Sequence, residues 1–90
     1  MKISELQPGK MYEVLWRQQS GNGRWYAKSA VWKFIEYVKS EYGDQLIWSG
    51  RPVCGTQDLD ASSFINAYER LDTAEPTVPR SRGELKKLER

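Results

Sequence analysis

The residues best suited to chemistry in this chain are built for gripping rather than cutting. Arg24-Trp25-Tyr26-Ala27-Lys28 and Trp32-Lys33 interleave cations with aromatic rings. Rings of this kind stack on unpaired bases or anchor a protein interface, while adjacent Lys and Arg side chains meet phosphates or carboxylates. The acid–base repertoire is thin by comparison. The chain has no histidine, the commonest general base near neutral pH and the commonest zinc ligand. Its single cysteine, Cys54, excludes an intrachain disulfide and a CxxC motif. A lone thiol reads first as a small buried hydrophobe, and Arg51 nearby is the one cation in sequence that could activate it.

The carboxylates do not repair the deficit. Asp58 and Asp60 flank Leu59 without the glycine and the bidentate glutamate of a calcium loop. Glu36, Glu41 and Asp44 are scattered, and a short chain has little room for the cleft that a pair of carboxyl catalysts needs. Gly21-Asn22-Gly23 runs into aromatic residues, not into the Lys-Ser or Lys-Thr of a phosphate loop. The expectation is a binding protein and not an enzyme, with no cofactor and no metal.

The elements that must hold these groups belong to one small domain. The chain has 90 residues, 39% hydrophobic and 29% charged, with a net charge of +2. No stretch reaches the ~18 apolar residues of a membrane span. The opening residues carry no apolar core of a secretory signal, so a cytoplasmic location is expected. Residues 11–17 alternate Tyr12, Val14 and Trp16 on one face and predict a strand. Residues 18–24 form a polar loop, and Asn22-Gly23 accepts the positive φ of a tight turn. Tyr42 to Gln45 is a second turn, and residues 46–49 a short strand. Gly50, Arg51-Pro52 and Gly55 then impose bends. Leu59 to Ser63 suits a helix start with Asp60 as N-cap, or equally a single 3-10 turn, ahead of a last strand from Phe64 to Leu71.

Residues 25–39 are ambiguous by periodicity. Ala27, Ala30, Val31, Phe34, Ile35 and Val38 fall at helical spacing, which would give a helix over residues 26–42 capped by Gly43. The residue types are those of strands, and period two holds if a bulge near residues 31–32 exchanges the faces.

After Leu71 the composition changes. Residues 72–90 hold no aromatic residue, two prolines and nine charges. They have too little apolar area to offset the entropy of ordering. They predict a disordered or loosely docked tail, with Gly83 to Arg90 able to turn helical on a partner.

Two passages resemble known families. Gly23-Arg24-Trp25-Tyr26-Ala27-Lys28-Ser29-Ala30-Val31 resembles the start of the second strand in Tudor and related SH3-like barrels. There a Gly-x-aromatic-aromatic run leads into Ala-x-Val. Ser49-Gly50-Arg51-Pro52-Val53-Cys54-Gly55-Thr56-Gln57-Asp58-Leu59 resembles an Arg-Pro-x-x-Gly-Thr-x-x-Leu element of small bacteriophage proteins, notably those of actinobacteria, with no activity attached to it. Together the passages cover 20 of the 90 residues. The chain lacks the later aspartate-tyrosine-glycine run of Tudor domains, so methyl-arginine recognition is not implied. The resemblance decides the ambiguous segment in favour of a long bent strand. The expected fold is mainly β: a small SH3-like antiparallel barrel of four to five strands over residues 1–71, followed by a flexible charged tail over 72–90.

Nine of the eleven aromatic residues lie between Tyr12 and Trp48. Most are expected in the core, two of the four tryptophans among them. Alternation cannot hide Trp25 and Tyr26 together, nor Val31 and Trp32. Residues 10–39 carry a net charge of +4 and residues 40–72 a net charge of −4. The candidate binding surface is therefore Trp16, Arg17, Arg24, Trp25, Tyr26, Lys28, Trp32, Lys33 and Arg51. The expected partner is a protein of the phage or of its host, met at an aromatic groove near the long loop. Two alternatives are open: single-stranded or non-specific nucleic-acid binding, with Arg80, Arg82, Lys86, Lys87 and Arg90 following a backbone, and a structural role in assembly.

Overall fold

The computed structural model describes residues 1–50 and 56–85. Six strands follow one another: β1 (Met11–Gln19), β2 (Trp25–Val38), β3 (Gln45–Ser49), β4 (Thr56–Asp60), β5 (Phe64–Glu69) and β6 (Arg80–Glu84). Single 3-10 turns at Ile3–Glu5 and Ala61–Ser63 precede β1 and β5. No helix among the described residues is long and apolar enough to cross a membrane.

All pairings are antiparallel, in the order β4-β3-β2-β1-β5, with β6 added to β2. The chain returns after β4 so that β5 lies beside β1. A flat path of five strands would hold β4 and β5 roughly 19 Å apart at the usual strand spacing. Only Ala61–Ser63 connects them, and a 3-10 turn rises only ~2 Å per residue. The sheet therefore curls until its two ends approach, although no β4–β5 ladder is present among the described residues.

The 14-residue β2 is the spine of this curl. Its first part, Trp25 to Lys33, pairs with β1, and its last part, Lys33 to Val38, pairs with β3. The helical alternative for residues 26–42 does not occur: β-branched and aromatic side chains fit the pleat, and the paired neighbours take up the backbone hydrogen bonds. The face exchange occurs at Ile35, between the Phe34–Trp48 and Glu36–Ile47 pairs, rather than at residues 31–32.

Inside the curl lie Tyr12, Val14, Trp16, Ala30, Trp32, Phe34, Leu46, Trp48, Leu59 and Ala67, closed at one end by Leu6. Aromatic rings fill it. Trp16 and Trp32 stack at 5.0 Å between centroids, and Phe34 meets Trp48 edge-on at 5.0 Å. Three of the four tryptophans are buried instead of the expected two. A small domain gains much of its buried area from a few such rings.

The segment expected to be a flexible tail contributes a strand. β6 lies on the edge of β2 that β1 leaves free, pairing Tyr26 with Glu84, Ala27 with Gly83, Lys28 with Ser81 and Ser29 with Arg80. Thr77 clasps the gap between β6 and β3: its N–H donates to the Val31 carbonyl (3.1 Å), and its Oγ1 accepts from the Val31 N–H (2.9 Å). Leu85 N–H donates to the Trp25 carbonyl at 2.7 Å. None of the β6 side chains is buried. The strand is held chiefly by its backbone, which is why hydropathy gave no sign of it. Gly83 and Glu84 belong to this strand, and residues 86–90 of the segment expected to turn helical on a partner lie outside the described residues.

Candidate functional site

The β1–β2 hairpin builds the site. Its turn is set by hydrogen bonds from Gly23 N–H to the Ser20 carbonyl (3.0 Å), Ser20 N–H to the Arg24 carbonyl (2.8 Å) and Arg24 N–H to Asn22 Oδ1 (3.0 Å). Gly23 sits at φ +86°, a conformation that side chains resist. From this turn the ladder pairs Gln19 with Trp25, Gln18 with Tyr26, Arg17 with Ala27 and Trp16 with Lys28. Paired residues share a face, so Gln18, Tyr26 and Lys28 continue the face of Trp16 and Trp32, while Arg17 and Trp25 stand on the other.

On the concave side the stacked indoles of Trp16 and Trp32 end the sealed core. Beyond them a groove of about 400 Å³ opens, lined by Gln18, Gln19, Ser20, Tyr26, Lys28 and Ser81 together with the turn residues Gly21 and Asn22. Gln18 Oε1 accepts a hydrogen bond from Trp16 Nε1 at 3.2 Å, joining the groove to the core. Tyr26 is half-buried and supplies the groove's aromatic ring. The volume is within the ~300–1,000 Å³ usual for ligand pockets. On the convex side the Arg17 guanidinium lies 5.3 Å from the centroid of the half-buried Trp25 ring, a cation–π contact.

The sequence-predicted residues thus divide into groups. Tyr26 and Lys28 share the groove; Arg17 and Trp25 form the convex pair; Arg24 flanks the turn and meets Glu84 at 3.4 Å. Trp16 and Trp32 are core residues, 4% and 2% exposed, and offer no surface to a partner. Lys33 is exposed but stands opposite Met11, roughly 26 Å from Trp25 at the rise of a strand. Arg51, like Cys54, lies outside the described residues. Gln18, Gln19, Ser20 and Ser81 were not singled out from the sequence. Alternation from Trp16 marks Gln18 as a residue of the inner face; nothing in the sequence marks Ser81.

Much of the charge is spent within the molecule. Lys10 pairs with Glu69 at 2.8 Å, and Glu13 accepts from both Arg70 and Arg82. The Glu69 hydrogen bond, then its charge, raises the Lys10 ammonium above its ordinary 10.5. No group of three or more histidine, cysteine or carboxylate residues that could hold a metal ion occurs among the described residues. No known protein family, curated protein or solved structure matches the chain.

Proposed function

We propose that this chain is a small non-enzymatic protein-binding module, and that the end of the β1–β2 hairpin is its contact surface. The observation that carries this reading is the groove of about 400 Å³ beside Tyr26 and Lys28, backed by the Arg17–Trp25 pair on the opposite face. Half-buried rings held on a rigid ladder with a cation beside them lose little entropy on binding, the quality that makes an interface anchor. The similarity of Arg51 to Leu59 to a phage protein element supports a bacteriophage origin, and with it a host or phage protein as partner.

Internal pairing of Lys10, Arg24, Arg70 and Arg82 with carboxylates favours this reading over nucleic-acid binding, since a phosphate backbone would have to compete for those cations. The test is capture from host lysate on immobilised full-length protein, with and without nuclease, over a salt series. A protein retained after nuclease treatment, lost on Tyr26→Ala and little affected by salt is the expected result. Retention that vanishes with nuclease and falls linearly on a log–log salt plot would replace this reading with nucleic-acid binding.

A further inference from the structure

The groove and β6 meet at Ser81. This residue is paired with Lys28, so its side chain lies on the face of Gln18 and Tyr26, and it forms part of the groove wall. A serine there is too small to occupy the space. The strand that carries it buries none of its five side chains. Its ionic contacts, Glu84 with Arg24 and Arg82 with Glu13, are long at 3.4 Å and partly solvated, and pairs of this kind hold weakly.

We propose that the edge of β2 from Trp25 to Val31 is a strand-acceptor site, at which an extended segment of a partner protein, with a large apolar side chain in the register position of Ser81, displaces residues 77–85. The inference rests on the protein-binding reading and names the chemistry of the partner. Strand addition draws its affinity from main-chain hydrogen bonds and its specificity from pockets for alternate side chains. The edge of β2 provides the first and the empty groove provides the second. The remaining register positions add detail. Glycine suits the place of Gly83, where φ is +120°, an acidic residue the place of Glu84 near Arg24, and a basic one the place of Arg82 near Glu13.

β6 acts as a resident substitute. It covers an edge that would otherwise invite aggregation. Because it is tethered, its local concentration is of millimolar order, so only a segment that also fills the groove competes well. Ser81 thereby sets a threshold that rejects arbitrary extended peptides.

The experiment uses the full-length protein and three labelled synthetic peptides: residues 77–85, the same peptide with Ser81→Phe, and a scrambled Ser81→Phe peptide. The Ser81→Phe peptide is expected to bind at least about tenfold tighter than the native one, a step of one decade in Kd. It should shift the backbone amide signals of residues 25–31, and release those of 80–84 toward random-coil positions. The scrambled peptide should bind no better than the native one. A second measurement uses the full-length Ser81→Phe variant, whose own strand now fills the groove. It should melt at a higher temperature than the native chain and bind the Ser81→Phe peptide more weakly. Equal binding of the three peptides, no binding by any of them, shifts confined to other strands, or an unraised melting temperature overturns the proposal. If lysate capture succeeds while these peptides fail, the module binds proteins elsewhere. If the peptides bind in register while capture depends on nucleic acid, the acceptor edge stands and the broader reading falls.

Discussion

Gly50 is pressed against the indole of Trp32: a β-carbon at Gly50 would come within 2.2 Å of Trp32 Cδ1. Trp32 has little freedom to shift, because it is buried and stacked on Trp16. Gly50→Ala is therefore expected to destabilise the fold by about 1–3 kcal/mol, the usual cost of overpacking. Trp32→Phe frees space at the contact, so the double variant should lose less than the sum of the two single variants. Urea denaturation of the four proteins measures both effects, and full additivity would show that the contact is not shared.

Trp48 and Trp25 should respond to truncation in opposite ways. Trp48 is fully buried among Tyr12, Trp32 and Phe34, and Trp48→Ala is expected to cost about 3–5 kcal/mol through lost transfer energy and the cavity left behind. Trp25 is half-buried, and its cation–π contact with Arg17 is worth only ~0.5–1 kcal/mol at an exposed site. Trp25→Ala should weaken partner capture more than it lowers stability. Denaturation curves paired with capture assays report the ordering, and a Trp25→Ala protein that unfolds as readily as Trp48→Ala would reverse the assignment.

The parts of the fold that were legible in the sequence are those whose side chains alternate against the core. Tyr12, Val14 and Trp16 mark β1, and all three are buried. In β2 the same alternation runs through Ala30, Trp32 and Phe34. It was obscured by Val31 and Ile35, which are only partly exposed on the outer face and lend the run a helical look. β4 left little trace because Leu59 is its one buried residue. β6 left none, since main-chain pairing has no composition. The site divides in the same way. Tyr26 and Lys28 follow from parity, whereas burial of Trp16 and Trp32 depends on how far the sheet curls, which no local pattern records.

Thr77 is the rivet of the C-terminal segment. It satisfies both backbone groups of Val31 in the space between β3 and β6. Thr77→Val keeps the shape and the N–H but removes the Oγ1 acceptor, leaving the Val31 N–H without its partner. The loss should be near 1 kcal/mol, typical of one hydrogen bond, and should fall on the docking of residues 72–85 more than on the curled sheet. Hydrogen exchange is expected to quicken at Val31 and along β6 while the Tyr12 and Val14 amides stay protected. Uniform acceleration across the sheet would mean that β6 and the curled sheet unfold as one unit.

The turn between β2 and β3 carries a pH dependence with two limits. Tyr37 Oη donates to Asp44 Oδ2 at 2.5 Å, and the Ser40 N–H reaches Asp44 Oδ1 at 3.4 Å. The tyrosine hydrogen bond first, then that of Ser40, hold the Asp44 carboxyl below its ordinary 3.8. The same bond keeps the Tyr37 phenol above its ordinary 10.0. A carboxylate with a lowered folded-state pKa contributes its stability above the ordinary value and loses it as pH falls through the lowered one. A phenol with a raised pKa contributes below its ordinary value and loses it as pH rises through the raised one. The turn is thus tightest between about pH 4 and pH 10 and loosens on either side. Because Asp44 O also accepts from the Ala61 N–H at 3.0 Å, loosening should reach the 3-10 turn that joins β4 to β5. Tyr37→Phe should return the Asp44 titration midpoint toward 3.8 and remove the alkaline limb of the local transition. Carboxyl carbon chemical shifts followed by NMR decide it: an Asp44 midpoint unmoved by the substitution would show that the phenol does not hold the carboxylate in solution.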